Sequence, residues 1–178
     1  MSIYGDSTTN KLVVLFVLEK MEIPLTENSI LDICCSSNNW INYMDCKEIL
    51  WQLLESELIY KSENGNGEEK YNITYEGRNC LASFFTRIPQ SFRDTIAEYI
   101  RQNRMHFKRT QEYLSDYSKN ADGSYTITLK IQAAFVDQPL FEIKIKAPSR
   151  HSAIEATKKW HEKAPIVYET MFDMLIEE

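Results

Sequence analysis

The feature that most restricts this chain is a change of hydrophobic period just after Ile59. Over residues 42–58, Cys46, Ile49, Leu50, Leu53 and Leu54 recur at intervals of three and four, so they share one face of a helix. Asp45, Lys47, Glu48, Gln52 and Glu55 fall on the other face. From Ile59 the chain reads as extended: Ile59-Tyr60-Lys61-Ser62, then Asn64-Gly65-Asn66-Gly67, then Lys70-Tyr71-Asn72-Ile73-Thr74-Tyr75. Asn-Gly pairs tolerate the positive φ that tight hairpin turns demand, so the stretch predicts a β-hairpin.

Two further helices precede that step. Residues 10–21 carry Leu12, Val13, Leu15, Phe16, Val17 and Leu18 behind the possible caps Ser7, Thr8 and Thr9. A second helix opens at Thr26-Glu27-Asn28-Ser29, turns Ile30, Leu31, Ile33 and Cys34 inward and stops near Ser36-Ser37-Asn38-Asn39. Three helices closed by a hairpin predict a winged helix. Leu53-Leu54-Glu55-Ser56-Glu57-Leu58-Ile59 resembles the exit from the third helix in that superfamily, and Tyr71-Asn72-Ile73-Thr74-Tyr75-Glu76-Gly77 resembles the step that leaves its wing. Glu57 stands where most members have glycine, which predicts a looser exit turn. The whole chain also resembles a family of uncharacterised clostridial proteins, domain of unknown function 4364, through its layout, the Asn10-Lys11-Leu12 start and the Thr74-Tyr75-Glu76-Gly77 step. That resemblance implies no activity.

Residues 77–86 read as another helix with Cys80, Leu81, Phe84 and Phe85 apolar, and Pro89 ends it. A long helix then runs from Gln90 to about Tyr117, greasy along Phe92, Ile96, Tyr99, Ile100, Phe107 and Leu114. Beyond Asp122-Gly123, residues 125–131 and 141–146 alternate as two antiparallel strands. Ser152-Ala153-Ile154-Glu155 has capping-box spacing and opens a helix to Lys163, and Pro165 is placed to start a last one. The expected fold class is therefore α+β: a winged helix of three helices plus a β-hairpin wing over residues 1–87, a long connecting helix over 88–118, and a ββαα domain over 119–178.

The function expected first is a dimeric DNA-binding transcriptional regulator, in which the third helix would point Asn39, Asn42, Tyr43 and Lys47 at base edges, with Gln52 further along, since asparagine and glutamine pair bidentately with adenine. Lys11, Lys61, Lys70 and Arg78, with Ser36 and Ser37, would meet phosphates. Phe92, Ile96, Tyr99 and Phe107 would pair two subunits so that recognition helices address half-sites about one turn apart. Arg101, Arg104, His106, Lys108 and Arg109 add a cationic cluster in the long helix.

Charge opposes that reading. Residues 1–87 hold seven Lys or Arg against thirteen Asp or Glu, a net of −6, whereas 88–118 hold five against four and 119–178 eight against nine. Non-specific DNA affinity comes mainly from neutralising phosphates, so an acidic reader binds weakly unless its few cations cluster. The alternative is an acidic winged-helix protein-interaction module without DNA binding. The expected partners are thus double-stranded DNA in the first case, a protein in the second and a second copy of the chain, and no membrane.

No phosphate-cradling loop, nucleophile elbow or metal-ligand spacing appears, so neither an enzyme nor a cofactor is expected. His151 and His161, ten residues apart, are weak metal candidates beside Glu155 and Glu162. Cys34, Cys35, Cys46 and Cys80 fit no zinc or redox pattern and read as small buried hydrophobes. Phe135, Phe141, Trp160, Tyr168 and Phe172 would either line a small-molecule pocket or form core. The absence of a long apolar run and of a basic, greasy start predicts a cytoplasmic protein.

Overall fold

The computed structural model describes residues 6–63, 68–132 and 138–176. Its architecture is mixed α+β, with helices and two small antiparallel sheets, and the chain divides into two compact units, Met1–Arg104 and Met105–Glu178.

In the first unit α1 (Ser7–Met21) is capped by Asp6, whose carboxylate accepts from the Thr9 N–H at 2.8 Å. Every residue from Leu12 to Leu18 is buried, so α1 is the central rod of this unit. α2 (Glu27–Leu31), capped by Thr26, continues into a π-helical turn, Asp32–Ser36. The chain then reverses through Asn39, which takes a left-handed φ of 51°, a conformation that asparagine tolerates. α3 (Tyr43–Glu55) buries Cys46, Ile49, Leu50 and Leu53.

Its exit is tighter than the sequence predicts. Glu57 itself adopts φ 55°, and paired hydrogen bonds, Leu58 N to Leu53 O and Glu57 N to Leu54 O, both 3.0 Å, close a Schellman motif. The turn therefore needs the left-handed conformation and obtains it from a glutamate, at a steric cost that glycine would avoid.

β1 (Ile59–Glu63) pairs antiparallel with β2 (Glu69–Ile73) in the register Ile59↔Ile73 to Glu63↔Glu69. The Asn64-Gly65-Asn66-Gly67 tip lies outside the described residues. Leu25 adds a bridge on the far side of β2, exchanging hydrogen bonds with Tyr71 at 3.0 and 2.7 Å. Thr74 caps α4 (Tyr75–Phe84), which a short 3₁₀ turn, Phe85–Arg87, joins to α5 (Gln90–Glu112). Trp40 packs edge-on against Phe92 and Tyr99 of α5, at 5.9 and 5.6 Å between ring centroids.

The second unit differs from the expected ββαα. The long helix stops at Glu112, not near Tyr117, and Tyr113–Lys119 is a strand, β3. It pairs with β4 (Tyr125–Ile131), which pairs in turn with β5 (Phe141–Ala147), giving the order β3-β4-β5. Asp122-Gly123 is thus the turn of a hairpin with strands on both sides, Gly123 taking φ 83°, rather than the start of a β section. Leu114 falls in helical phase with Phe107 in the sequence, but β4 offers a ladder for all seven residues of β3, and a third strand gives the sheet a stability that two lack.

The expected helix break at Pro165 is also absent: α6 is one helix, Arg150–Leu175, with Pro165 inside it. Trp160 and Ala164 before the proline and Val167 and Tyr168 after it pack on the same core of Ile127, Leu129 and Ile131. Packing on both sides outweighs the roughly 3 kcal/mol cost of an interior proline. The unit is therefore βββα.

Candidate functional site

α3 turns one face to solvent, and its orientation follows from the inward pull of Cys46, Ile49, Leu50 and Leu53. Opposite them, at helical spacing, stand Met44, Lys47, Glu48, Trp51 and Glu55, all exposed. Met44 is 70% exposed and Trp51 61%, and the two stand on the same face of the helix. Sequence reasoning passed over both because it sorted this helix into an apolar and a polar face. The signal was present, since Met44 and Trp51 are seven residues apart and out of phase with the core positions.

Each residue that the sequence nominates for DNA has a definite place. Asn42 is the cap of α3, its side-chain oxygen accepting from the Met44 N–H at 2.9 Å, and so that oxygen is engaged by backbone. Asn39 supplies the left-handed turn before it, and Tyr43 is exposed. Lys47 pairs with Glu27 at 3.0 Å and lies 5.8 Å from the Tyr43 ring. Lys61 pairs with Glu69 at 2.6 Å across the hairpin, and Arg78 with Glu19 at 2.7 Å. The Lys47 and Lys61 ammonium groups are held above the usual lysine range chiefly by hydrogen bonds to these carboxylates. Lys70 is buried, 5% exposed, and desolvation lowers its pKa. Lys11 is half-buried on α1.

The proposed pairing residues divide similarly. Phe92 and Ile96 are buried in the core of their own unit and Tyr99 packs on Trp40, so these three positions already have partners within the chain. Phe107, in the second unit, is half-buried beside the His106 ring. Of the cationic cluster, Arg101 pairs with Glu98 at 2.7 Å, Arg104 with Glu22 at 2.6 Å and Lys108 with Glu112 at 3.7 Å.

A family model described as Domain of unknown function (DUF4364) matches residues 10–175. The chain belongs to that family. No curated protein and no solved structure matches this DUF4364 chain.

Other chemistry in the DUF4364 chain is sparse. Cys34 and Cys46 are buried and Cys35 is half-buried. Burial, with Cys46 alongside, pushes the Cys35 thiol up to about 12, and hydrogen bonding to Cys34 together with burial raises Cys46. Those shifts oppose the lowered pKa that a reactive thiol needs. Among the described residues no group of three or more His, Cys, Asp or Glu is arranged to hold a metal ion. Three aromatics of the second unit pack together, Phe141 stacking on the buried Trp160 at 6.1 Å and meeting Tyr168 at 6.0 Å, and Phe172, 37% exposed, meets Tyr168 at 6.0 Å. Phe135 lies outside the described residues. A shallow cleft of about 210 Å³ between β3 and α6 is lined instead mainly by polar groups, among them Ser115, Asp116 and His161. Among the described residues no helix is long and apolar enough to cross a membrane.

Proposed function

We propose that the Met1–Arg104 unit is a winged helix, with α1, α2 and α3 as its three helices and β1–β2 as its wing, and that α3 engages a protein partner rather than duplex DNA. The observation that carries this reading is the composition of the outward face of α3, Met44 and Trp51 set among Glu48 and Glu55 with Lys47 already paired. Phosphate contact would require Lys47, Lys61 and Arg78 to leave Glu27, Glu69 and Glu19, which would then stand unpaired in the phosphate field. Each exchange leaves net charge unchanged, so the −6 of residues 1–87 persists against DNA.

Against a protein the same face is favourable. Tryptophan is enriched among residues that dominate interface energies. Burying the exposed part of Trp51, on the order of 100 Å² at about 25 cal/mol per Å², contributes about 2–3 kcal/mol. Glu48 and Glu55 at its border favour a partner that is apolar at the centre and basic at the rim.

DNA recognition by a dimer is the second reading, favoured by the exposure of Asn39, Asn42, Tyr43 and Lys47 at the N-terminal end of α3, the end from which recognition helices read bases. A mobility shift on random duplex DNA at about 50 mM salt separates the two. The expected result is no retarded species at tens of micromolar protein, with a protein that co-purifies with the wild-type chain and is lost on Trp51→Ser. A retarded species that weakens with salt and with Lys47→Ala or Arg78→Ala would overturn the proposal in favour of DNA.

A further inference from the structure

We infer that two copies of this chain associate edge to edge through β5, their sheets joining antiparallel about a twofold axis at Ile143. The strand order β3-β4-β5 leaves β5 with a neighbouring strand on one side alone. Which of its backbone groups face outward follows from β4. The Gln132 N–H donates to the Glu112 oxygen at 2.7 Å and the Asn120 N–H to the Ser124 oxygen at 2.8 Å, so even-numbered residues of β4 bond to β3 and odd-numbered ones to β5. Ile127, Leu129 and Ile131 stand opposite Ile145, Ile143 and Phe141. The backbone N–H and C=O groups of Glu142, Lys144 and Lys146 therefore point away from the sheet, and no described strand pairs with them. Such a row is a template for another strand.

The side chains at this edge are uncovered as well. Phe141, Ile143, Ile145 and Ala147 share the face that meets α6. Phe141 and Ile143 pack on the core beneath that helix, but Ile145 is 45% exposed while Ile127, opposite it on β4, is 3% exposed. On the other face Glu142, Lys144 and Lys146 are exposed.

The occupant that fits this edge is the β5 strand of a second copy. Centred on Ile143, an antiparallel register places Glu142 opposite the partner's Lys144, and Lys144 opposite the partner's Glu142, at the hydrogen-bonded positions. Between them it sets Ile143 against the partner's Ile143 and Ile145 against the partner's Phe141, where cross-strand side chains approach most closely. Centring on Glu142 or Lys144 instead puts like charges face to face, and centring on Ile145 opposes Lys144 to the partner's Lys146. Of these registers the one at Ile143 is complementary both in charge and in apolar contact. Within one chain Glu142 and Lys144 meet at 3.4 Å, and exchanging that exposed ion pair for pairs across the axis leaves neither charge alone. The inference does not depend on what α3 binds, because the two surfaces belong to different units.

Sedimentation velocity of the intact chain from about 1 to about 100 µM tests it. The wild type is expected to sediment as a dimer in the upper part of that range. Lys144→Glu and Glu142→Lys each turn the opposed charge pairs into like ones, twice over, and are each expected to weaken self-association at least about 10-fold. An equimolar mixture of the two variants is expected to recover the wild-type dimer, since each supplies the charge the other lacks. Lys144→Pro, whose missing N–H faces away from the sheet, is expected to abolish association with the circular dichroism spectrum unchanged. Should the proline variant unfold, the charge reversals, on exposed side chains, carry the test. A chain that is monomeric at about 100 µM, a dimer that neither reversal weakens, or weakened variants that mixing does not restore would overturn the inference.

Discussion

Replacing Gly77 by alanine tests the junction that ties the hairpin to the helices. Gly77 sits in the first turn of α4, where its N–H donates to the Thr74 hydroxyl at 3.0 Å. A Cβ at this position would lie 2.1 Å from the Leu58 carbonyl oxygen and 2.8 Å from Ile73 Cγ1. The Leu58 oxygen is backbone, and it accepts from the Thr74 N–H at 3.1 Å, so the roughly 1 Å displacement that removes the clash also strains that bond. Forcing a methyl into such a site costs about 1–3 kcal/mol, and loss of the hydrogen bond about 1 more. Alanine returns about 1 kcal/mol through its better helix propensity. The net is a destabilisation of about 2 kcal/mol, which in a unit of roughly 100 residues lowers the melting midpoint by about 10 °C. Thermal unfolding of the intact chain, followed by circular dichroism, reads this, with exposed Ala82→Gly in the same helix as a control for propensity alone. A Gly77→Ala chain that melts at or above the wild type would refute the close approach of α4 to the exit from α3.

Glu57→Gly should stabilise the first unit by about 0.5–1 kcal/mol in denaturant titration, since the left-handed φ of 55° at Glu57 penalises a side chain and not glycine. Pro165→Ala should raise the stability of the second unit by about 1–3 kcal/mol, because the missing N–H leaves a gap in the hydrogen-bond ladder of α6; a loss would mean the proline is required for the packing of Trp160 and Val167. Asp122 is held below the usual carboxylate range by its hydrogen bond from Lys146 at 2.6 Å and then by Ser124. Its contribution is present above the unfolded carboxyl pKa of about 4 and is lost as pH falls through the folded value. The stability difference between wild type and Asp122→Asn should accordingly stay flat above about pH 5 and shrink below about pH 4.

Local physics made much of the first unit legible. A continuous apolar run behind possible caps defined α1, repeats of three and four defined α3, and the change to alternation at Ile59 located the hairpin, because each pattern follows from the geometry of one element. The Thr74-to-Gly77 step was legible only as a resemblance, and the structure supplies its physics, one residue serving as the cap of a helix that starts at Tyr75 and the other permitting a close approach. Where two elements compete for a segment, the sequence alone was insufficient. Tyr113–Lys119 follows a helix in phase, and only the free edge of β4 makes it a strand. Pro165 signals a helix start, and only a shared core under Trp160 and Val167 carries α6 through it.

The candidate site shows the same division. Sequence determined which charged residues the chain possesses and that its first 87 residues are acidic. Tertiary structure decided that Lys47 and Arg78 meet carboxylates remote in sequence and that Phe92 and Ile96 are enclosed by their own unit. Pairing and exposure depend on which surfaces the fold brings together, and a periodicity along one helix contains no information about its neighbours.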